Sequence, residues 1–171
     1  MTEPAYQIEN ISLDQISESP YQVPGRVGDE LIASIKRDGL LEPVTVRPVG
    51  DAYELVGGHR RYAAVKSLGW PTIPAIVREL SDTEAANFVY LDNEQREDFN
   101  DYQRGMYLAR RLEEKGVTQA KLAKELGISQ GRISRLRQLA DAPAEVREYL
   151  NMPQGRSEEH TSELQSPDHL V

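Results

Sequence analysis

The chain has 171 residues, of which 39% are hydrophobic and 28% are charged, a composition typical of a folded globular protein rather than a disordered one. It contains no cysteine, which excludes disulfides, thiol catalysis and thiolate metal sites and is consistent with a cytoplasmic protein. The formal net charge of −8 argues at first against nucleic acid as a partner, and the absence of a signal peptide and of any apolar run of the ~20 residues that span a bilayer argues against a membrane.

Strand-like and helix-like segments are interspersed up to about residue 96. Strand-like segments lie at 6–13, 44–47, 52–56 and 73–78, with 48–51 as the connection of a hairpin. Helix-like segments lie at 29–38, with Gly39 as its cap, at 63–68, and from Ser81 into the polar run 92–98. The stretch 17–28 is rich in Pro, Gly and Ser and is predicted to be a loop.

The segment most informative about function is Gly-Gly-His-Arg-Arg-Tyr at 57–62, between a strand-like run and a helix-like run. The two glycines allow a sharp turn and a close approach of the backbone to a ligand. The helix that begins there presents unpaired N–H groups and the positive end of its dipole. Since Arg60 and Arg61 add fixed positive charge at the same point, the segment predicts a phosphate-binding cradle.

A second polar segment, 92–98, closes a helix that begins with a capping box at Ser81 and Glu84. Within it, Asn93 and Arg96 are residue types that contact phosphate oxygens, and Asp92 with Asn93 is a candidate magnesium site. The residues leave an alternative open, which is a polar helix end with ion pairs along its surface.

The second half of the chain is predicted to be helical, with a long helix over 99–114 and a last one over 144–150. Segment 119–138 has the pattern of a DNA-binding helix-turn-helix, with Ala123 at the helix crossing, Gly127 in the turn and Ser129 as the cap of the second helix. Between 117 and 140 there are five basic residues and one acidic residue, a local charge of +4 that suits phosphate contacts. The alternative is an ordinary helical hairpin.

Three sequence boxes and the helix-turn-helix, in this order, resemble the ParB/Noc partition-protein family over about residues 6–150. The first box lies at 31–48, the second is Gly-His-Arg-Arg-Tyr-Ala-Ala at 58–64, and the third is Asp-Asn-Glu-Gln-Arg at 92–96. The resemblance implies an α+β fold, with a ParB/sulfiredoxin-like N-terminal domain built on a small mixed sheet and a following all-α helix-turn-helix domain. We expect these domains at 1–98 and 99–155.

The resemblance further implies a bacterial, nucleoid- or plasmid-associated protein that binds DNA sequence-specifically and acts as a CTP-gated clamp in plasmid or chromosome segregation. The implied cofactors are CTP and Mg²⁺, and the implied partners are double-stranded DNA, a second copy of the chain and a ParA-type ATPase. By carry-over, the nucleotide-binding residues are Ser34, Gly39, Pro43, Gly57, Gly58, His59, Arg60, Arg61, Asn93 and Arg96. The predicted DNA-binding residues are Lys121, Ser129, Gln130, Gly131, Arg132, Ser134, Arg135 and Gln138. Among them, the motif offsets make Gln130, Ser134 and Arg135 the best candidates for base contacts.

The boxes depart from the family pattern at His59 and Asp92, which occupy positions where the family has glutamates. The Q-P-R element usual in the family's first box is also disturbed, because Gln22 is followed by Val-Pro-Gly-Arg at 23–26. The catalytic residues are therefore left unassigned, and nucleotide binding is favoured over efficient hydrolysis, with weak CTPase activity left open. Two alternatives remain: a ParB-like transcription regulator without CTP turnover, and a ParB-fold nuclease or kinase.

The last segment, 156–171, does not resemble protein sequence. Residues 156–166 match a common sequencing-library adapter translated in frame, and 167–171 fit its continuation. We therefore expect 156–171 to be an assembly artefact, with the natural chain continuing past Gly155. Resequencing of the source locus tests this, since an uninterrupted genomic read through the segment would contradict it.

Overall fold

The computed structural model describes residues 8–22, 27–96, 99–143 and 146. The chain forms two compact units, Met1–Arg96 and Glu97–Val171. The adapter-like segment and, apart from Val146, the helix predicted over 144–150 lie outside the described residues. Among the helices in the described ranges, none is both long and apolar enough to cross a membrane.

The first unit is an α+β fold on a five-stranded mixed sheet. Its elements are β1 (Ile8–Ser12), a 3₁₀ turn (Leu13–Gln15), β2 (Ile16–Glu18), α1 (Asp29–Asp38), β3 (Val44–Val49), β4 (Ala52–Gly57), α2 (His59–Ser67), β5 (Thr72–Val77) and α3 (Asp82–Glu94). The strand order is β1-β5-β3-β4-β2. The pairs β1/β5 and β3/β4 are antiparallel, whereas β3/β5 and β2/β4 are parallel.

Both faces of the sheet are covered, which buries β4 on its two sides. One face carries alternating strand residues such as Val46, Leu55 and Ile73, which pack with Ile35 of α1 and Val65 of α2. On the other face, Val56 of β4 packs against Ala85 and Val89 of α3. The sheet therefore fixes the end of β4, where α2 begins, relative to α3.

The predicted helices of this unit are present, although α2 begins at His59, before the predicted start at residue 63. α1 spans the predicted residues, and Gly39 ends it at a φ of 80°. At the start of α3, Ser81 accepts from the Glu84 N–H while the Glu84 carboxylate accepts from the Ser81 N–H, so the predicted capping box is formed.

Two predictions about strands were wrong. Residues 16–18, assigned largely to a loop, form β2, which pairs in parallel with β4 through Ile16 and Tyr53. Only Ile16 of its three residues is buried, so the segment is too short to show an alternating pattern. The hairpin connection is also shorter than 48–51, because Pro48 and Val49 belong to β3. Pro48 is tolerated since β5 pairs with β3 only up to Val46, leaving no ladder bond for Pro48 to donate on that side.

The second unit consists, in its described part, of α4 (Asp101–Leu112), α5 (Gln119–Leu126) and α6 (Gln130–Ala140). The predicted helix-turn-helix geometry is present: Gly127 ends α5 at a φ of 67°, and Ser129 caps α6 by accepting from the Arg132 N–H. α4 approaches α6 closely at Gly105, where an added Cβ would lie 2.1 Å from the Leu136 carbonyl oxygen.

The apolar positions of the helix predicted over 99–114 are Phe99, Tyr102, Met106, Ala109 and Leu112, and they predict a buried face that differs in phase from the observed one. Met106, for example, is 43% exposed. The buried face instead includes Gln103, Tyr107, Leu108 and Arg111. Two of these residues form a polar pair, since Arg111 donates to the Tyr107 hydroxyl at 3.0 Å. A hydrogen-bonded pair can be buried without an apolar side chain at either position, so a search for apolar periodicity misses this face.

Candidate nucleotide and DNA sites

A cavity of about 200 Å³ opens in the first unit where α2 begins. Its walls come from three separate parts of the sequence, and the lining residues are Gln22, Gly58, His59, Arg60, Arg61, Asp92, Asn93, Gln95 and Arg96. The second and third sequence boxes therefore meet in one place, although some thirty residues separate them.

Gly58 makes the turn from β4 into α2 in the left-handed region, at φ 81° and ψ 28°. A Cβ at this position would lie 3.0 Å from Val44 Cγ1 and 3.3 Å from Arg61 Nη2, so both conformation and space require glycine. The turn leaves the first N–H groups of α2 at the cavity, where the helix dipole favours an anion. Gly57 has a different role, because its missing Cβ makes room for Phe88, whose Cε1 would be 2.9 Å away.

The two arginines of the second box are placed differently. Arg60 is exposed and makes no hydrogen bond or ion pair with another described residue, so its guanidinium is available to a ligand. Arg61 donates from Nη1 to the carbonyl oxygens of Glu42 at 3.0 Å and Pro43 at 2.8 Å, and the same nitrogen lies 3.2 Å from Glu42 Oε2. Arg61 is thus held against the loop before β3 while it lines the cavity.

Asn93 is buried, lines the cavity and holds the side chain of Arg96. Its Oδ1 accepts from Arg96 Nη1 at 3.0 Å, and its Nδ2 donates to the Val89 carbonyl at 2.9 Å and weakly to Gln22 Oε1 at 3.4 Å. Since Asn93 Oδ1 already accepts from a guanidinium, only its second lone pair is left for a cation, and its magnesium role stays a prediction.

Asp92 fits the predicted magnesium role, because its carboxylate can supply one oxygen ligand to the ion. Burial raises the pKa of Asp92, while the Gly58 backbone N–H and the positive charges of Arg61 and Arg96 act in the opposite direction. Among the described residues there is no group of three or more acidic, histidine or cysteine side chains that could enclose a metal. A magnesium ion that takes most of its ligands from phosphates and water needs only one such carboxylate.

His59 is the first residue of α2 and is only 8% exposed. Burial, helped by the nearby positive charge of Arg96, lowers its pKa to about 4, and the Leu55 carbonyl only partly opposes these effects. The imidazole is therefore neutral at pH 7. Neither ring nitrogen has a partner at hydrogen-bonding geometry among the described residues.

The helix-turn-helix presents a basic surface in the second unit. Seven of the eight residues predicted to contact DNA are exposed, and the eighth, Ser134, is half-buried. Glu125, the single acidic residue of this segment, lies 3.2 Å from Nη2 of the buried Arg111. This pairing turns the one negative charge of the segment toward α4.

Comparison with known proteins assigns the family. Residues 2–94, more than half of the chain, match the family model of the ParB N-terminal domain. This chain belongs to the ParB family. Residues 108–138 of the same ParB-family chain match a helix-turn-helix model. The family and fold class expected from the three boxes are therefore confirmed.

Relatives of this ParB-family chain include a nucleoid occlusion protein of Geobacillus kaustophilus (strain HTA426), 38% identical over 123 residues, which are 71% of this chain and 44% of that protein. The chain spans about half the length of the curated relatives it matches. The C-terminally truncated ParB of Caulobacter crescentus complexed to the centromeric parS site is 28% identical, with a TM-score of 0.51, covering 83% of this chain and 76% of that one. The same protein complexed with CTP-gamma-S is 27% identical, with a TM-score of 0.47, covering 94% of this chain and 88% of that one.

Several residues carried over from the ParB family do not line the cavity: Ser34, Gly39, Pro43 and Gly57. Ser34 lies on α1 with its hydroxyl 3.5 Å from Asp38 Oδ2, and Gly39 caps the same helix. Pro43 is connected to the site only through its carbonyl, which accepts from Arg61.

Two lining residues, Gln22 and Gln95, were missed as binding candidates. A signal existed for each, because Gln22 belongs to the disturbed Q-P-R element and Gln95 lies inside the third box of the ParB family.

Proposed function

We propose that this chain is a DNA-binding partition protein whose grip on DNA is gated by CTP. The observation that carries the proposal is the convergence of Arg60, Arg61 and Arg96 with the start of α2 on one cavity. Guanidinium groups and a helix N-terminus together suit a polyphosphate, and Asp92 supplies one carboxylate for the Mg²⁺ that accompanies it. The magnesium would neutralise phosphate charge, while the chain's own residues bind and orient the phosphates.

Arg96 offers a route from the cavity to the DNA-binding unit. It is the last residue of the first unit, and its backbone N–H donates to the Asn93 carbonyl at 3.0 Å while its side chain donates to Asn93 Oδ1. A phosphate bound to Arg96 would act at the point where the chain leaves the first unit. We propose that occupancy of the cavity is coupled to DNA binding through this segment.

Arg60→Ala tests the nucleotide site. We expect the 171-residue chain to bind CTP with Mg²⁺ and the variant to bind at least tenfold more weakly, because a charge-assisted hydrogen bond to phosphate is lost. Isothermal titration with and without DNA measures this. Lys66→Ala is the matched control, since Lys66 is an exposed cation on the same helix, outside the cavity lining.

The same titration separates the alternatives. Failure of the unchanged chain to bind CTP under all these conditions would contradict gating and favour a ParB-like transcription regulator without CTP turnover. A nuclease would nick supercoiled DNA, and a kinase would consume ATP with free serine. The basic surface of the helix-turn-helix favours the DNA-binding role over the kinase.

Arg135→Ala tests the DNA-binding half of the proposal. Arg135 is exposed on α6, the second helix of the motif, and a relative 28% identical to this chain is complexed to parS. We expect the substitution to cost about 1–3 kcal/mol on a parS duplex because a bidentate base contact is lost. Fluorescence anisotropy on parS and on a scrambled duplex measures the difference. An equal loss on both duplexes would show that Arg135 contacts only phosphate.

The proposal includes assembly as a homodimer, partnership with a ParA-type ATPase and association with the nucleoid or a plasmid. Relatives named nucleoid occlusion protein support the nucleoid association. Sedimentation of the chain with and without CTP and parS tests the homodimer. A gene for a ParA-type ATPase beside the source gene would support the partner, and its absence would favour a regulatory role.

A further inference from the structure

The imidazole of His59 is a buried polar group that makes no hydrogen bond of good geometry with the described residues, although the Leu55 carbonyl acts on it. Only 8% of the residue's surface is exposed, both ring nitrogens lack a partner at hydrogen-bonding geometry among the described residues, and the residue lines the cavity at the start of α2. Buried polar atoms are nearly always paired, and an exception in a cavity wall indicates a partner that arrives with the ligand.

The charges around the ring specify the kind of partner. The titratable or charged residues that share the cavity are three arginines, Arg60, Arg61 and Arg96, and one acid, Asp92. A neutral imidazole carries one N–H, so it can lie among three cations without repulsion and donate to the same anion. A phosphate oxygen, an acceptor with negative charge, fits both the cations and the imidazole donor.

We propose that His59 is a ligand-binding residue whose ring N–H donates to a phosphate oxygen of the bound nucleotide, an inference that rests on the proposed function of the cavity. Burial in the first turn of α2 holds the donor in place before the ligand arrives. The ligand then supplies an acceptor at hydrogen-bonding geometry, which the Leu55 carbonyl does not, so ligand-free stability and ligand affinity depend on His59 in opposite directions.

Two variants test this, with CTP–Mg²⁺ and inorganic tripolyphosphate as probes. His59→Phe fills a similar volume without polar atoms, so we expect binding of both probes to weaken about tenfold while the thermal midpoint of the ligand-free chain stays constant or rises. His59→Gln keeps an N–H donor and is expected to recover most of the affinity. A purely structural histidine would give the opposite midpoint change, because its loss would destabilise the ligand-free chain.

The outcomes separate this inference from the proposed function. If the unchanged chain binds neither probe, both are wrong. If it binds and His59→Phe binds equally well, only the role of His59 is wrong. Weakened binding of CTP with unchanged binding of tripolyphosphate would overturn the phosphate contact. Failure of His59→Phe to fold would assign the ring a structural role and overturn the inference as well.

Discussion

Arg111→Met is expected to destabilise the second unit by about 3–5 kcal/mol, since it removes one partner from a buried charge network. The Arg111 side chain has no exposed surface. Its nitrogens reach the Tyr107 hydroxyl at 3.0 Å, Glu125 at 3.2 Å and Glu114 at 2.9 Å. The substitution keeps the packed volume but leaves Glu125, only 17% exposed, without this cation.

Hydrogen exchange of the amides in α4, α5 and α6, followed at several denaturant concentrations, measures this loss for the second unit by itself. Arg110→Met is the matched control, because Arg110 is the neighbouring arginine on α4 and is exposed. We expect the protection factors of these amides to be unchanged in Arg110→Met. A loss below about 1 kcal/mol for Arg111→Met would show that the network does not stabilise the unit.

Loss of Arg111 is also expected to weaken DNA binding. In the folded unit, Arg111 compensates Glu125, the one acid of the basic helix-turn-helix segment. Without it, an uncompensated negative charge adds to that surface, which lowers affinity for every duplex and most strongly at low salt. The same loss on parS and scrambled DNA would identify this electrostatic cause.

Arg47→Met is expected to destabilise the first unit by about 3 kcal/mol, the lower end of the range for buried ion pairs because the pair is not completely buried. Arg47 of β3 and Glu54 of β4 are opposite each other in the sheet, and Arg47 Nη2 lies 2.6 Å from Glu54 Oε2. Their side chains are 11% and 8% exposed. Arg47 also lies 2.7 Å from Asp82 and donates to the Leu80 carbonyl at 3.1 Å, so it joins the sheet to the start of α3.

A double variant separates the charge from the packing. Arg47→Met with Glu54→Leu removes the stranded carboxylate, so we expect it to recover most of the lost stability in urea unfolding. Arg37→Met is the control: its ion pair with Asp38 has the same 2.6 Å length, but Arg37 is 72% exposed, and no measurable change is expected. No recovery in the double variant would mean that lost packing, not the unpaired charge, causes the effect.

The local features of the fold could be predicted because each depends on residues close together in the sequence. The capping box needs only Ser81 and Glu84, the end of α1 needs Gly39, and the helix-turn-helix needs Gly127 and Ser129 at fixed offsets. In each case the hydrogen bonds are made within one turn, so the side chains themselves specify the conformation. The three boxes likewise identified the family before any contact between them was known.

The sequence by itself determined the caps at Gly39, Ser81 and Ser129, which segment forms the helix-turn-helix, and which two boxes supply the cations of the cavity. Only the tertiary structure decided what those residues touch: Arg61 bonds to the carbonyls before β3, Asn93 holds Arg96, and Gln22 meets Asn93 across 71 positions of sequence. It also decided that β2 is a strand and that a polar pair, Tyr107 and Arg111, is buried in α4. The Arg61, Gln22 and β2 contacts join distant segments, whereas the Asn93–Arg96 and Tyr107–Arg111 pairs are local but buried by the packing of other elements. The cost of burying a polar group depends on that packing, which no local pattern reveals.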